Sequence, residues 1–261
     1  MRTSFIAALL ACCYLFLTPA AAAEKDVGIV LLHGKWDRPP SKVLGLARQL
    51  EAQGYQVLTP TMPWSGTREY DVPYSQAIVE IESAANSLRD KGAKHVIVGG
   101  LSFGANAALA YAGIGKPVDA VFLLSPGHTP YAGSMKTALQ DSVAKASEMM
   151  KSGAANDRAW FKDLNQGQSQ QIRVTAASYF SYFDPEGLAA MPKTAAGISS
   201  AIPVFMAVGS ADQMSGFAEK TIFSVAPPHA KSSFTIMNAD HIGLVNVVAP
   251  GLIEWLRSLD L

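Results

Sequence analysis

Ser102 stands between glycines in the stretch GGLSFGAN, residues 99–106, with an apolar run before it and an alanine-rich run after it. Gly100, Ser102 and Gly104 meet the pattern G-x-S-x-G, which occurs once in the chain. In a nucleophile elbow the serine takes a strained backbone conformation that lifts its hydroxyl above a sheet edge, and small neighbours let strand and helix approach. The plainer reading is a serine that only caps the helix. What separates the two is whether partners exist, because a hydroxyl is a poor nucleophile until a base takes its proton and a carboxylate orients that base.

Five histidines are available. Where a nucleophile elbow stands at the carboxyl edge of an α/β sheet, the order along the chain is Ser, then Asp or Glu, then His, each on a loop leaving the carboxyl end of a strand. His241 follows the apolar run 232–237 by a short loop and satisfies order and placement. His33 and His95 precede the serine, His229 comes before that last run, and His128 follows the strand after the elbow helix, where it can line a pocket. For the carboxylate, Asp212 in VGSADQ follows the apolar run 203–208. Asp184 and Glu186 fall in an inserted segment, Asp119 opens a strand at its wrong end, and Asp240 is too close to His241 to hold its ring. Asp212 also suits a helix N-cap, so that role stands beside the catalytic one. An oxyanion hole needs the N–H of the residue after the nucleophile, Phe103, and one from an early loop, where the His33-Gly34 turn presents Lys35 ahead of Trp36.

The elements that must position these residues are apolar runs at 27–32, 55–58, 95–99, 118–124, 203–208 and 232–237. Most are continuous, as in strands buried on both faces of a parallel sheet. Stripes at helical spacing lie between them, one through Val43, Leu46, Ala47 and Leu50 and another from Tyr74 to Leu88. Strand alternating with helix implies right-handed crossovers and a doubly wound α/β sheet. From about 130 to 201 no strand is expected, only helical stripes and the aromatic cluster SYFSYFDPEG. Such a helical insertion roofs the carboxyl edge of the sheet or packs on its flank. As a roof it offers Tyr179 and Phe183, with Trp36 and His128, as pocket walls; as packing, the aromatics are core.

The amino terminus reads as a secretory signal peptide over 1–23: Arg2, an apolar run over 5–17, then small residues before the charged Glu24. The run is shorter than the roughly 20 residues of a membrane span. An uncleaved anchor and a lipid-modified Cys12 are the alternatives. Both cysteines, Cys12 and Cys13, lie in this leader, which leaves 24–261 without a thiol for disulfide, metal or catalytic chemistry. Loss of Arg2 turns a balance of 21 basic and 21 acidic residues into a formal charge of −1, which gives no reason to expect a nucleic-acid partner.

Taken in order, VLLHGKW, GGLSFGANAALAY, VGSADQ and NADHIG resemble the α/β-hydrolase superfamily, specifically its serine esterase and lipase-like members, over essentially the whole of 24–261. The resemblance implies Ser102 as nucleophile, Asp212 as acid and His241 as base. It also implies no metal or organic cofactor and a small-molecule or lipid-like ester substrate. Amide, peptide and thioester substrates suit the same triad, and a non-catalytic binding protein is the remaining alternative. Leu101 stands where a histidine is often found, and HGKW departs from the H-G-G-G form of the oxyanion loop.

Overall fold

The computed structural model describes residues 26–261; the leader expected over 1–23 lies outside them. The chain begins with β1 (Val27–Leu32), α1 (Leu44–Glu51), β2 (Gln56–Leu58), α2 (Tyr74–Asp90), β3 (His95–Leu101), α3 (Phe103–Gly113) and β4 (Ala120–Leu124). An insertion follows, made of α4 (Gly133–Lys151), β5 (Arg158–Asn165), β6 (Gln168–Thr175), α5 (Ala176–Phe183) and α6 (Met191–Ala196). The chain then returns through β7 (Val204–Gly209), α7 (Ala218–Thr221), β8 (Ser233–Met237), α8 (Leu244–Val247) and α9 (Ala249–Arg257).

Six strands form one parallel sheet in the order β2-β1-β3-β4-β7-β8. The runs of β1, β3, β4 and β7 are buried on both faces, whereas the edge strands β2 and β8 are largely half-buried. One core packs α1, α8 and α9 against Ile29, Leu31 and Phe122; the other packs α2 and α3 against Val30, Val98 and Val121. The chain runs outward from β1 to β2 and comes back on the other side of β1 as β3. That reversal makes the gap between β1 and β3 the topological switch point, where loops leaving the carboxyl ends of two neighbouring strands open a crevice.

The expectation of no strand over 130–201 is corrected by β5 and β6, an antiparallel hairpin registered from Arg158 opposite Thr175 to Asn165 opposite Gln168. Gln166 and Gly167 close it with φ of 50° and 76°, the two positive values a two-residue hairpin turn matched to strand twist requires. β5 alternates, with Phe161 and Asp163 inward, and β6 turns Ile172 and Val174 the same way. The face of the hairpin that carries Phe161, Asp163, Ile172 and Val174 also carries Gln168 and Gln170, and the other face carries Lys162, Gln171 and Arg173, so no apolar run marks it. The insertion is therefore helices plus a hairpin, and α6 packs tightly on α3, where Gly113 meets the Thr194 carbonyl.

Candidate active site

The turn from β3 into α3 places Ser102 at φ 58° and ψ −114°, a strained position for a residue with a Cβ. Strand and helix approach so closely there that a Cβ on Gly104 would sit 2.3 Å from the Leu32 carbonyl oxygen. Gly100 is equally hemmed in, at 2.6 Å from the same atom. The loop after β1 lies directly opposite, since a Cβ on Gly34 would be 3.3 Å from that of Ser102.

Three loops from the carboxyl edge of the sheet bring Ser102, His241 and Asp212 together. His241 Nε2 lies 2.9 Å from Ser102 Oγ, and His241 Nδ1 lies 2.8 Å from Asp212 Oδ2. All three residues are buried. A carboxylate only accepts, so the ring proton belongs on Nδ1 and the Nε2 lone pair faces the serine hydroxyl. The other oxygen of Asp212 accepts the Met214 N–H at 3.0 Å, capping the 3-10 turn Gln213–Gly216. Burial works to raise the Asp212 carboxyl, but the hydrogen bond and charge of His241 and the Met214 N–H hold it below its usual value. The capping and imidazole-orienting geometries that the sequence left as rivals coexist in one side chain.

Among the described residues no acceptor takes the main-chain N–H of Phe103 or of Lys35, and both belong to loops that flank Ser102. Phe103 is the first residue of α3, so the positive end of the helix dipole adds to its N–H. The Lys35 side chain turns away into the protein, where its ammonium meets Asp163 of β5 at 2.7 Å. Burial lowers the Lys35 pKa and the Asp163 charge opposes that shift.

The hairpin turn divides the space above Ser102. On one side a cavity of about 90 Å³ is walled by Gly127, His128, Thr129, Ser134, Gln213 and Met214. On the other, one of about 230 Å³ is walled by Gly34, Trp36, Asp37, Lys42, Gln168 and Ile242. Ser102, Lys35, Asn165 and Gln166 line both. Trp36 and His128 thus reach the cavities. Tyr179 and Phe183 do not: both are fully buried, in a stack with Phe161 at ring spacings of 4.4 and 4.3 Å, and they are core residues of the insertion rather than pocket walls.

The other histidines are placed elsewhere. His33 Nδ1 donates to the Gly34 carbonyl and Nε2 accepts the Met62 N–H, which makes it a brace for the loop after β1. His95 meets Asp119 at the amino end of β3, and His229 lies in the loop before β8. His128 lies flat on Phe103 at 4.1 Å and points Nε2 at the Tyr182 carbonyl, which makes Nε2–H the donor. Burial, reinforced by the Lys35 charge, pushes its pKa well down, so it is neutral. Glu186 is exposed on the insertion, away from the imidazole. Two site residues carry no sequence signal. Gly127 is one, where a Cβ would lie 2.8 Å from Ser102 Oγ; Asp163 is the other. Among the described residues no group of three His, Cys, Asp or Glu is placed to hold a metal ion, and no helix is long and apolar enough to cross a membrane.

Solved structures share this architecture at low sequence identity. One from work on LipS and LipT, two metagenome-derived lipolytic enzymes, aligns with a TM-score of 0.64 at 14% identity over 92% of this chain and 98% of that one. A thermostable carboxyl esterase from Bacillus coagulans gives 0.65 at 13% over 94% and 93%. A monoacylglycerol lipase from Paleococcus ferrophilus gives 0.63 at 19% over 91% and 96%. At these identities the likeness is one of fold. No curated protein matches the chain by sequence. The model of the alpha/beta hydrolase family matches residues 29–251, from within β1 to beyond β8, and the chain belongs to that family.

Proposed function

We propose that the chain is an exported serine hydrolase that cleaves a carboxylic ester. The observation that carries this reading is the unbroken hydrogen-bonded path from Ser102 Oγ through the His241 ring to Asp212, at 2.9 and 2.8 Å. Ser102 Oγ attacks the acyl carbon while its proton passes to His241 Nε2. The oxygen that gains the charge lies against the free N–H groups of Phe103 and Lys35, fixed before the reaction begins. His241 then protonates the departing alkoxide, and a water repeats the sequence in reverse to free the acid from Ser102. Asp212 keeps the ring in the tautomer these steps need.

The walls above Ser102 bear on substrate size. With Tyr179 and Phe183 in the core and Thr129, Ser134, Gln166 and Gln213 around the smaller cavity, short or polar groups suit it better than long acyl chains. The sequence of Arg2, an apolar run over 5–17 and small residues before Glu24 supports export, and a secreted product whose mass begins at Glu24 is the expected form.

A fluorophosphonate probe tests the chemistry. Wild type should be labelled and should hydrolyse p-nitrophenyl acetate, while Ser102→Ala should do neither. Equal ester hydrolysis by the two proteins would overturn the reading.

A further inference from the structure

We propose that Asp163, on the inward face of β5, is a positioning residue that sets the oxyanion loop, so that the hairpin over the site is a fixed strut for catalysis and not only a roof. This rests on the hydrolase reading above.

The polar groups of Lys35 divide sharply. Its ammonium donates to Asp163 Oδ1 at 2.7 Å and to the Leu164 carbonyl at 2.9 Å, and its own carbonyl accepts from Asn165 Nδ2 at 3.3 Å. Only its main-chain N–H is left unclaimed among the described residues. Trp36 next to it sits at φ 58°, a left-handed position disfavoured for a large side chain. Its indole N–H donates to Asp163 Oδ2 at 2.6 Å. One carboxylate therefore grips two consecutive side chains of the loop after β1, and three consecutive hairpin residues, 163 to 165, hold it in all.

Asp163 is itself fully satisfied. Tyr70 OH donates to Oδ2 at 2.8 Å and the Leu164 N–H to Oδ1 at 2.7 Å, and the residue has no exposed surface. The ammonium is enclosed too, 5.0 Å from the centre of the Phe183 ring and 5.8 Å from that of Phe103. Two buried charges are a poor route to stability, because an apolar pair of similar volume is often as stable or more so. What such a pair does supply is direction: charge-assisted bonds fix where each partner points. Here the group so held is the Lys35 main chain, next to Gly34, where a Cβ would lie 3.9 Å from Ser102 Oγ. Oxyanion donors act through placement, and a shift of about 1 Å can cost about 100-fold in rate.

Asp163→Asn tests this, with kcat taken per fluorophosphonate-reactive site so that misfolded protein does not count. The expected result is a fall in kcat of about tenfold to a hundredfold with KM little changed. Affinity for an alkyl boronic acid, whose adduct with Ser102 puts an oxygen in the same hole, should weaken by a matching factor. Trp36→Phe, which deletes one donor to Asp163 and keeps an aromatic ring, should move both quantities the same way by less. Should Asp163→Asn fail to fold, the double variant Lys35→Met/Asp163→Leu replaces the charged pair by an apolar one of similar bulk, and the same fall in kcat is expected from it. Unchanged titrated kcat and boronate affinity in folded Asp163→Asn or in the double variant, with only a lowered Tm, would reduce Asp163 to a packing residue and overturn the proposal. Absence of probe labelling in wild type would instead strike the hydrolase reading itself.

Discussion

All six residues of β1 are buried and six of the seven in β3, whereas β6 buries only Ile172 and Val174 of its eight. The first pair of strands lies in the middle of a parallel sheet with helices on both faces; the second belongs to a hairpin with one face toward solvent. The difference decides what each region can tolerate and supply. The sheet edge holds Ser102, Asp212 and His241 on short loops from strands that cannot shift without breaking two cores. The hairpin supplies polar groups, Asn165 and Gln166 among them, that face whatever occupies the cavities. On the proposed reading the sheet edge carries the reacting groups, residues 163–165 of the hairpin brace the loop after β1, and the hairpin tip sets fit, so substitutions in the three should fail in different ways.

The largest effect is expected at Asp212. Asp212→Asn should lower kcat/KM by roughly 10⁴, about 5.5 kcal/mol at the transition state, because the imidazole is then held in the wrong tautomer. Asn caps a helical turn as well as Asp does, so the Met214 N–H stays satisfied and Tm at neutral pH should drop little. The folded carboxyl titrates below its unfolded value, so the stability it contributes is present above about pH 4 and fades as the pH falls through the folded pKa. Wild type and variant should therefore converge in stability in acid. Steady-state kinetics with denaturation at neutral and acid pH checks both halves, and near-normal activity in the variant would move the acid away from Asp212.

Tyr179→Ala should show the opposite pattern. The ring is fully buried in the stack with Phe161 and Phe183, and its hydroxyl donates to the Lys162 carbonyl at 2.7 Å. Its loss should destabilise the protein by about 3–5 kcal/mol, as large-to-small aromatic changes in a core do. Since Tyr179 touches neither cavity, the ratio of kcat/KM for long against short acyl esters should not move in the protein that remains folded. A changed ratio would return Tyr179 to the pocket wall.

These two residues also mark where the sequence was readable. Ser102, Asp212 and His241 stand out because each follows an apolar run by a few residues; burial on both faces makes the runs of β3 and β7 continuous, and the half-buried edge strand β8 still carries Phe234, Ile236 and Met237. The same physics hides the hairpin: β5 and β6 are amphipathic, Asp163 occupies an inward position, and the turn uses Gln166-Gly167 where Asn-Gly would have been an open signal. Tyr179 and Phe183 could be read as pocket or as core because an aromatic residue has the same composition in either place. Only the stack with Phe161, none of whose rings lines either cavity, distinguishes them. Gly127 was silent for a different reason, since the contact that requires it is with Ser102, a residue on another loop.

Gly127→Ala probes the sheet edge more gently. The added methyl would come within 2.8 Å of Ser102 Oγ and 3.4 Å of His241 Cε1, so the hydroxyl or the ring must give way. The φ of Gly127 is not positive, so the backbone can accept the change and the protein should stay folded. A displacement of a few tenths of an ångström to 1 Å at the nucleophile predicts a loss of about tenfold to a hundredfold in kcat/KM. Labelling by the fluorophosphonate should slow by a similar factor. Unchanged labelling would mean that the loop after β4 relaxes away from the serine.

The smallest effect, and the one that sharpens the division between layer and cover, is expected at Gln166. Its side chain lines both cavities from the tip of the hairpin, while the turn geometry depends on backbone angles that alanine adopts no worse than glutamine. Gln166→Ala should change stability by no more than about 0.5 kcal/mol and leave fluorophosphonate labelling of Ser102 at its wild-type rate. Removing the amide widens both cavities at their shared boundary and deletes a polar group. The preference should move toward larger, less polar esters by about 1–3 kcal/mol at most, the range that one small group in a pocket commands. A panel of p-nitrophenyl acetate, butyrate and octanoate, compared as ratios of kcat/KM, reads that shift. If the ratios hold and the absolute rates fall together, the tip acts on the shared chemistry as residues 163–165 are proposed to, and Gln166 belongs with that strut instead of the cover.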